Sequence, residues 1–87
     1  MIKTSIRPAG YHEFRCWIGK PSKVELADAT CGARYVKAYA DDAALNFAED
    51  IEADDSDEIW VLDDEGKMLR FVASVTIVPS YRVRQTR

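Results

Sequence analysis

Between Lys37 and Lys67 the chain has no Lys or Arg, so a long internal stretch has nothing with which to attract a polyanion. Histidine is almost absent too, with His12 alone. The two cysteines, Cys16 and Cys31, form neither a Cys-x-x-Cys pair nor any Cys/His ligand spacing, which excludes a zinc set. Two reduced thiols are expected, because the first residues, Met1 to Pro8, contain no apolar signal region that would send the chain to an oxidising compartment. Long apolar runs are missing as well. The longest span a few residues, far below the ~20 needed to cross a bilayer, so a cytoplasmic location without membrane contact is expected.

What is present fits one small domain over residues 1–87, with residues 1–10 as an N-terminal arm or edge strand and residues 84–87 as a basic tail. Hydrophobic content of 47% with 31% charged residues is ordinary for a globular chain. A chain this short buries only about 60–65% of its surface on folding, so its stability margin is small. The net charge of −3 conceals a polarity. Residues 41–65 carry twelve of the fifteen acids, and the rest of the chain holds all twelve Lys and Arg against Glu13, Glu25 and Asp28. Such asymmetry bears on partners rather than on fold.

The cleanest periodicity lies over residues 41–52. Ala44, Phe47, Ala48 and Ile51 recur at i, i+3, i+4 and i+7, the stripe of an amphipathic helix. Asp41 is expected to cap it, with Asp42 near the positive end of the dipole. The acidic residues that follow face the negative end, so the helix should stop near residue 52 or 53. Before it, Tyr11 to Ile18 alternates as a strand with His12, Phe14, Cys16 and Ile18 inward. Residues 23–32 fit a short strand or a helical turn. Ala33 to Ala40 reads as a second strand with Val36, Ala38 and Ala40 inward. Ile59–Leu62 is a short strand, Asp63–Gly66 a hairpin loop with Gly66 left-handed, and Lys67–Val78 a strand with Leu69, Phe71, Ala73, Val75 and Ile77 inward. Pro79 ends or bends it, and Tyr81 to Arg84 can resume as an edge strand. These elements predict an α+β fold of two layers: a mainly antiparallel sheet with one amphipathic helix on one face, built on a β-β-α-β-β core.

Catalytic motifs fail in turn. Gly19-Lys20 matches the end of a phosphate loop, but Phe14 stands where its first Gly belongs and Pro21 replaces the hydroxyl residue. His12 and Cys16 share a strand face about 13 Å apart, too far for a thiolate–imidazole pair. Asp50, Glu52 and Asp54 alternate like calcium ligands, yet Asp55 occupies the obligatory Gly position and Val61 that of the bidentate Glu. No enzyme, metal or cofactor is expected.

Two surfaces remain. The acidic loop with Asp54, Asp55, Asp57 and Glu58 either keeps the chain solvated or docks a basic protein partner. The sheet face away from the helix is expected to show Tyr11, Arg15, Trp17, Tyr35, Lys37, Tyr39, Trp60 and Arg70, with Arg82 and Arg84 nearby. Within that set Trp17, Tyr35, Tyr39, Trp60 and Arg70 are the candidates for binding or dimerisation. Aromatics interleaved with Arg and Lys can stack bases and neutralise phosphates, so single-stranded nucleic acid is the alternative partner. The same aromatics can instead be covered by the N-terminal arm or by a second copy in a homodimer.

The stretch from Tyr35-Val36-Lys37-Ala38-Tyr39 into Ala40-Asp41-Asp42-Ala43-Ala44, then Ile59-Trp60-Val61-Leu62-Asp63-Asp64-Glu65-Gly66, then Val78-Pro79-Ser80-Tyr81, resembles small accessory proteins of phages and mobile elements. The resemblance covers roughly residues 33–83 and brings no site residues with it. It implies a host- or defence-interacting protein, a class that includes anti-CRISPR inhibitors and DNA mimics. The expected function is therefore a small non-enzymatic binding protein acting through protein–protein contacts.

Overall fold

The computed structural model describes residues 10–75 and 81–86. Its elements run β1 (His12–Ile18), α1 (Lys23–Ala27), β2 (Ala33–Lys37), α2 (Ala40–Ile51), β3 (Glu58–Leu62), β4 (Met68–Val75) and β5 (Tyr81–Thr86). The strands form one sheet in the order β2-β1-β3-β4-β5, antiparallel at every junction. Helix α2 lies on one face and touches all five strands. The α+β architecture expected from the periodicities is thus the one observed, with α1 and β5 added to the β-β-α-β-β order.

The core is built from large residues on the strands and small ones on the helix. Phe14, Cys16, Ile59, Val61, Phe71 and Ala73 point up from the sheet, and Ala43, Ala44, Phe47 and Ala48 point down. A stripe with three alanines lets the helix axis approach the strands closely, while Phe47 fills the remaining space. Strand β4 keeps its expected inward row through Leu69, Phe71, Ala73 and Val75. Thr76, Ile77 and Pro79 fall outside the described residues, as do residues 1–9 and Arg87.

Several expectations need correction. The small residues that admit the helix were sought on β2, as Val36, Ala38 and Ala40. The register pairs Phe14 with Tyr35 and Cys16 with Ala33, so Tyr35 and Ala33 face the helix and Val36 faces away. Tyr35 stands edge-on to Phe47, ring centroids 6.3 Å apart. Its hydroxyl donates to Asp50 at 2.7 Å, which satisfies the polar tip of an inward ring. β2 ends at Lys37, and Tyr39 rather than Asp41 is the helix N-cap, without a side-chain cap bond. Asp41 and Asp42 both occupy the first turn, where the dipole favours them.

The helix stops where expected. Glu52 adopts a left-handed conformation (φ 54), and the Ala53 N–H reaches back to the Ala48 carbonyl at 3.0 Å. This 6→1 bond, closed by two buried alanines, is a Schellman-type ending. Ile51 just before it is 41% exposed and Ile18 at the end of β1 is 47% exposed, so neither belongs to the core. Residues expected as a basic tail, Arg84 to Thr86, belong to β5.

The segment left open between strand and helix is resolved by its caps. Ser22 Oγ accepts from the Glu25 N–H at 3.1 Å, and Glu25 Oε1 accepts from the Ser22 N–H at 2.8 Å. This capping box starts α1, and the Ser-x-x-Glu spacing at 22–25 was the signal for it. In the β3–β4 hairpin, Asp63 Oδ1 accepts from the N–H groups of Glu65 and Lys67, and Gly66 takes φ 86 as anticipated.

Candidate functional site

Strand parity divides the sheet into a helix-covered face and an outer face. On the outer face stand Arg15 and Trp17 from β1, Glu58 and Trp60 from β3, Arg70 and Val72 from β4, and Arg82 and Arg84 from β5. Of the five residues expected there as binding or dimerisation candidates, Trp17, Trp60 and Arg70 have that parity. Tyr35 does not, because it packs on Phe47 beneath the helix. Tyr39 does not either: it lies beyond the end of β2, at the helix N-cap, 68% exposed.

At Trp17 the outer face is closed by the chain itself. Trp17 is only 7% exposed although it points away from the helix. Its cover includes Gly32, where an added Cβ would stand 2.8 Å from the indole. The Arg15 guanidinium lies 4.8 Å from the centre of the Trp17 ring. It also donates to four main-chain carbonyls, those of Glu25, Leu26, Asp28 and Cys31, the shortest at 2.7 Å to Asp28. A planar fork of five donors suits such convergence, and an ammonium does not. The Thr30 hydroxyl and N–H donate to the Asp28 carboxylate, holding it below its ordinary pKa. The Trp17 indole N–H is buried without an acceptor among the described residues, so packing and the Arg15 cation hold the ring. The cover considered in the sequence was an arm, which lies outside the described residues, or a second copy. Among the described residues the cover includes Arg15, tied to the carbonyls of residues 25–31, and the turn at Gly32.

Around Trp60 the face is less covered. This indole is half-buried, sits opposite Trp17 and Arg70, and donates to Glu58 Oε1 at 3.3 Å. Lys20 Nζ and the Arg70 guanidinium each lie 5.8 Å from its ring centre. Arg70 donates to Thr86 Oγ1 at 2.6 Å and pairs with Glu58 at 3.8 Å. A hollow of about 380 Å³ lies beside the ring, walled in part by Lys67, Met68, Leu69 and Thr86. Arg82 and Arg84 project from β5 opposite Ser74 and Val72, both exposed. The lysine beside Trp60 was not foreseen, since Lys20 reaches the ring from a turn with no strand parity to follow.

Asp41, Asp42, Glu49, Asp50 and Glu52 are exposed along α2 or at its end. The acidic loop beyond it divides by role. Asp55 Oδ1 accepts from the Val75 N–H at 3.0 Å, and Asp57 Oδ2 accepts from the Asp54 N–H at 2.8 Å. The Ser56 N–H donates to the Ala73 carbonyl, and the Asp57 carbonyl accepts from the Ala73 N–H. The loop is thereby stitched to β4. Glu58, expected with these acids, starts β3 and turns to the outer face. Asp54 remains exposed beside Glu52 and Glu49 in sequence.

Cys16, His12 and Tyr35 each have a defined setting. Burial pushes the Cys16 thiol up to about 12, which keeps it protonated at neutral pH. His12 Nδ1 meets Asp64 Oδ2 at 3.0 Å rather than a nucleophile. Burial first, then the hydrogen bond to Asp50, raises the pKa of Tyr35 and keeps its hydroxyl a donor. Among the described residues no three His, Cys, Asp or Glu side chains converge as metal ligands, and no helix is long and apolar enough to cross a membrane. No protein-family profile, curated protein or solved structure matches the chain.

Proposed function

We propose that the chain is a small non-enzymatic binding protein of a phage or mobile element, working in the cytoplasm through protein–protein contact. Its docking surface is the acidic helix layer, and the partner presents a basic surface. One observation carries this reading: the carboxylates of Asp41, Asp42, Glu49, Asp50 and Glu52 are exposed along α2 or at its end, on the side of the sheet away from Arg70, Arg82 and Arg84. The segment free of Lys and Arg supplies α2 and both acidic loops, while Arg15, Arg34, Arg70, Arg82 and Arg84 all have outer-face parity. A surface of one sign steers an oppositely charged partner over roughly a Debye length, about 8–10 Å at physiological salt. Like charge on a wrong partner is rejected in the same way.

The exposed carboxylates Glu49, Glu52 and Asp54 are the residues to test, because Asp55 and Asp57 hold the loop and Glu58 faces the other way. Affinity capture from host lysate with the native chain should retain a basic partner that elutes as salt rises. The variant Glu49→Gln/Glu52→Gln/Asp54→Asn should lose that partner while its thermal unfolding midpoint does not fall. Equal retention by both proteins would defeat the proposal.

A further inference from the structure

We infer that the outer sheet face around Trp60 is a second, separate site, which binds single-stranded nucleic acid with a base stacked at Trp60. The indole is held in place before any ligand arrives: Glu58 accepts its N–H, and the Lys20 and Arg70 cations lie over the ring, each 5.8 Å from its centre. A pre-placed ring loses little freedom when a base stacks on it. The hollow of about 380 Å³ beside it has apolar walls from Met68 and Leu69 and cations from Lys67 and Arg70, which suits a flat base joined to a phosphate.

The backbone of the strand has its own track. Arg82 and Arg84 share the outer face two residues apart, about 6.4–6.8 Å along the strand, close to the spacing of successive phosphates in an extended chain. No carboxylate pairs with either arginine among the described residues. The acid on this part of the face, Glu58, is compensated by Arg70 at 3.8 Å. An acidic peptide would satisfy the arginines but leave the ring face and the hollow without a use. A paired duplex keeps its bases inside the stack, so it reaches the arginines and not Trp60. The acids of the helix layer repel any polyanion that leaves this face, which confines the strand to one side of the molecule.

Fluorescence anisotropy of labelled short oligonucleotides, titrated with the full chain over a salt series, tests the inference. Single strands should bind with micromolar affinity at physiological salt and more tightly than a duplex of the same sequence. Arg82→Gln/Arg84→Gln changes two exposed side chains, so its unfolding midpoint should stay near that of the native chain. It should reduce the slope of log affinity against log salt by about 1.4, two contacts at about 0.7 each. Trp60→Leu should weaken binding on the order of ten- to a hundredfold by removing one stacked base. The Glu49→Gln/Glu52→Gln/Asp54→Asn variant should bind the oligonucleotide undiminished, which separates this site from the acidic one. The inference fails if single strands do not bind, if duplex binds equally well, or if the double arginine variant keeps the native salt slope. It fails also if sedimentation shows a concentration-dependent dimer that Trp60→Glu abolishes, because the occupant of the face is then a second copy.

Discussion

A methyl group on Gly32 would stand 2.8 Å from the Trp17 indole, closer than packed carbon atoms tolerate. The backbone there also has φ 89, a conformation that a residue with a Cβ adopts at a cost. Both effects act at the point where the chain turns back over the outer face. Gly32→Ala should therefore destabilise the protein by more than about 1 kcal/mol in urea unfolding, with red-shifted tryptophan emission as Trp17 meets water. An unchanged midpoint would mean that the cover repacks freely over the ring. Tyr35 shows at the same scale how an amphipathic side chain hides its orientation. Its ring belongs against Phe47 and its hydroxyl against Asp50, so neither hydrophobicity nor polarity alone tells which way it points.

At the scale of elements, α2 is stable through its packing more than through its ends. Its first turn has two favourable acids but no side-chain cap, and its last turn has no basic residue. Glu52 is doubly misplaced, an anion near the negative end of the dipole and a non-glycine residue at φ 54. Glu52→Gly should raise stability by about 0.5–1 kcal/mol, because glycine takes the left-handed conformation without steric cost. A rise in urea midpoint at unchanged slope would establish it, and a fall would show that the Glu52 side chain makes a contact worth more than the strain. α1 presents the reverse case. It is five residues long with none buried, and its capping box and the Arg15 fork supply its visible attachments.

At the scale of the molecule, one helix closes one face of a five-stranded sheet, and Phe47 is the large side chain that α2 contributes to that contact. Phe47→Ala should cost about 3–5 kcal/mol, a large part of the 5–15 kcal/mol typical of a whole domain. Equilibrium unfolding measures it, and a loss below about 1 kcal/mol would mean that the layers are held together elsewhere. The same two-layer arrangement puts the sheet between the carboxylates of α2 and Arg70, Arg82 and Arg84, while Glu13 and Glu58 share the outer face with the arginines they pair with. The two proposed sites can thus be tested by different substitutions in the same chain.

The sequence by itself determined the elements whose burial is one-sided and strong. The stripe Ala44, Phe47 and Ala48, the row Leu69, Phe71, Ala73 and Val75, and the Gly66 turn were all legible, because a single environment selects each pattern. The charge polarity was legible for a simpler reason, since it is a property of composition along the chain. Tertiary structure alone decided the rest. β2 is an edge strand with no fully buried residue, so its parity follows from pairing Phe14 with Tyr35 rather than from its own weak alternation. Trp17 has the outward parity that its strand dictates and is buried nonetheless, because the turn at Gly32 packs against it. Trp60 has the same parity and is only half-buried, with Lys20 and Arg70 over its ring. Which of two outward tryptophans is covered depends on contacts between residues far apart in the chain, and no local pattern records them.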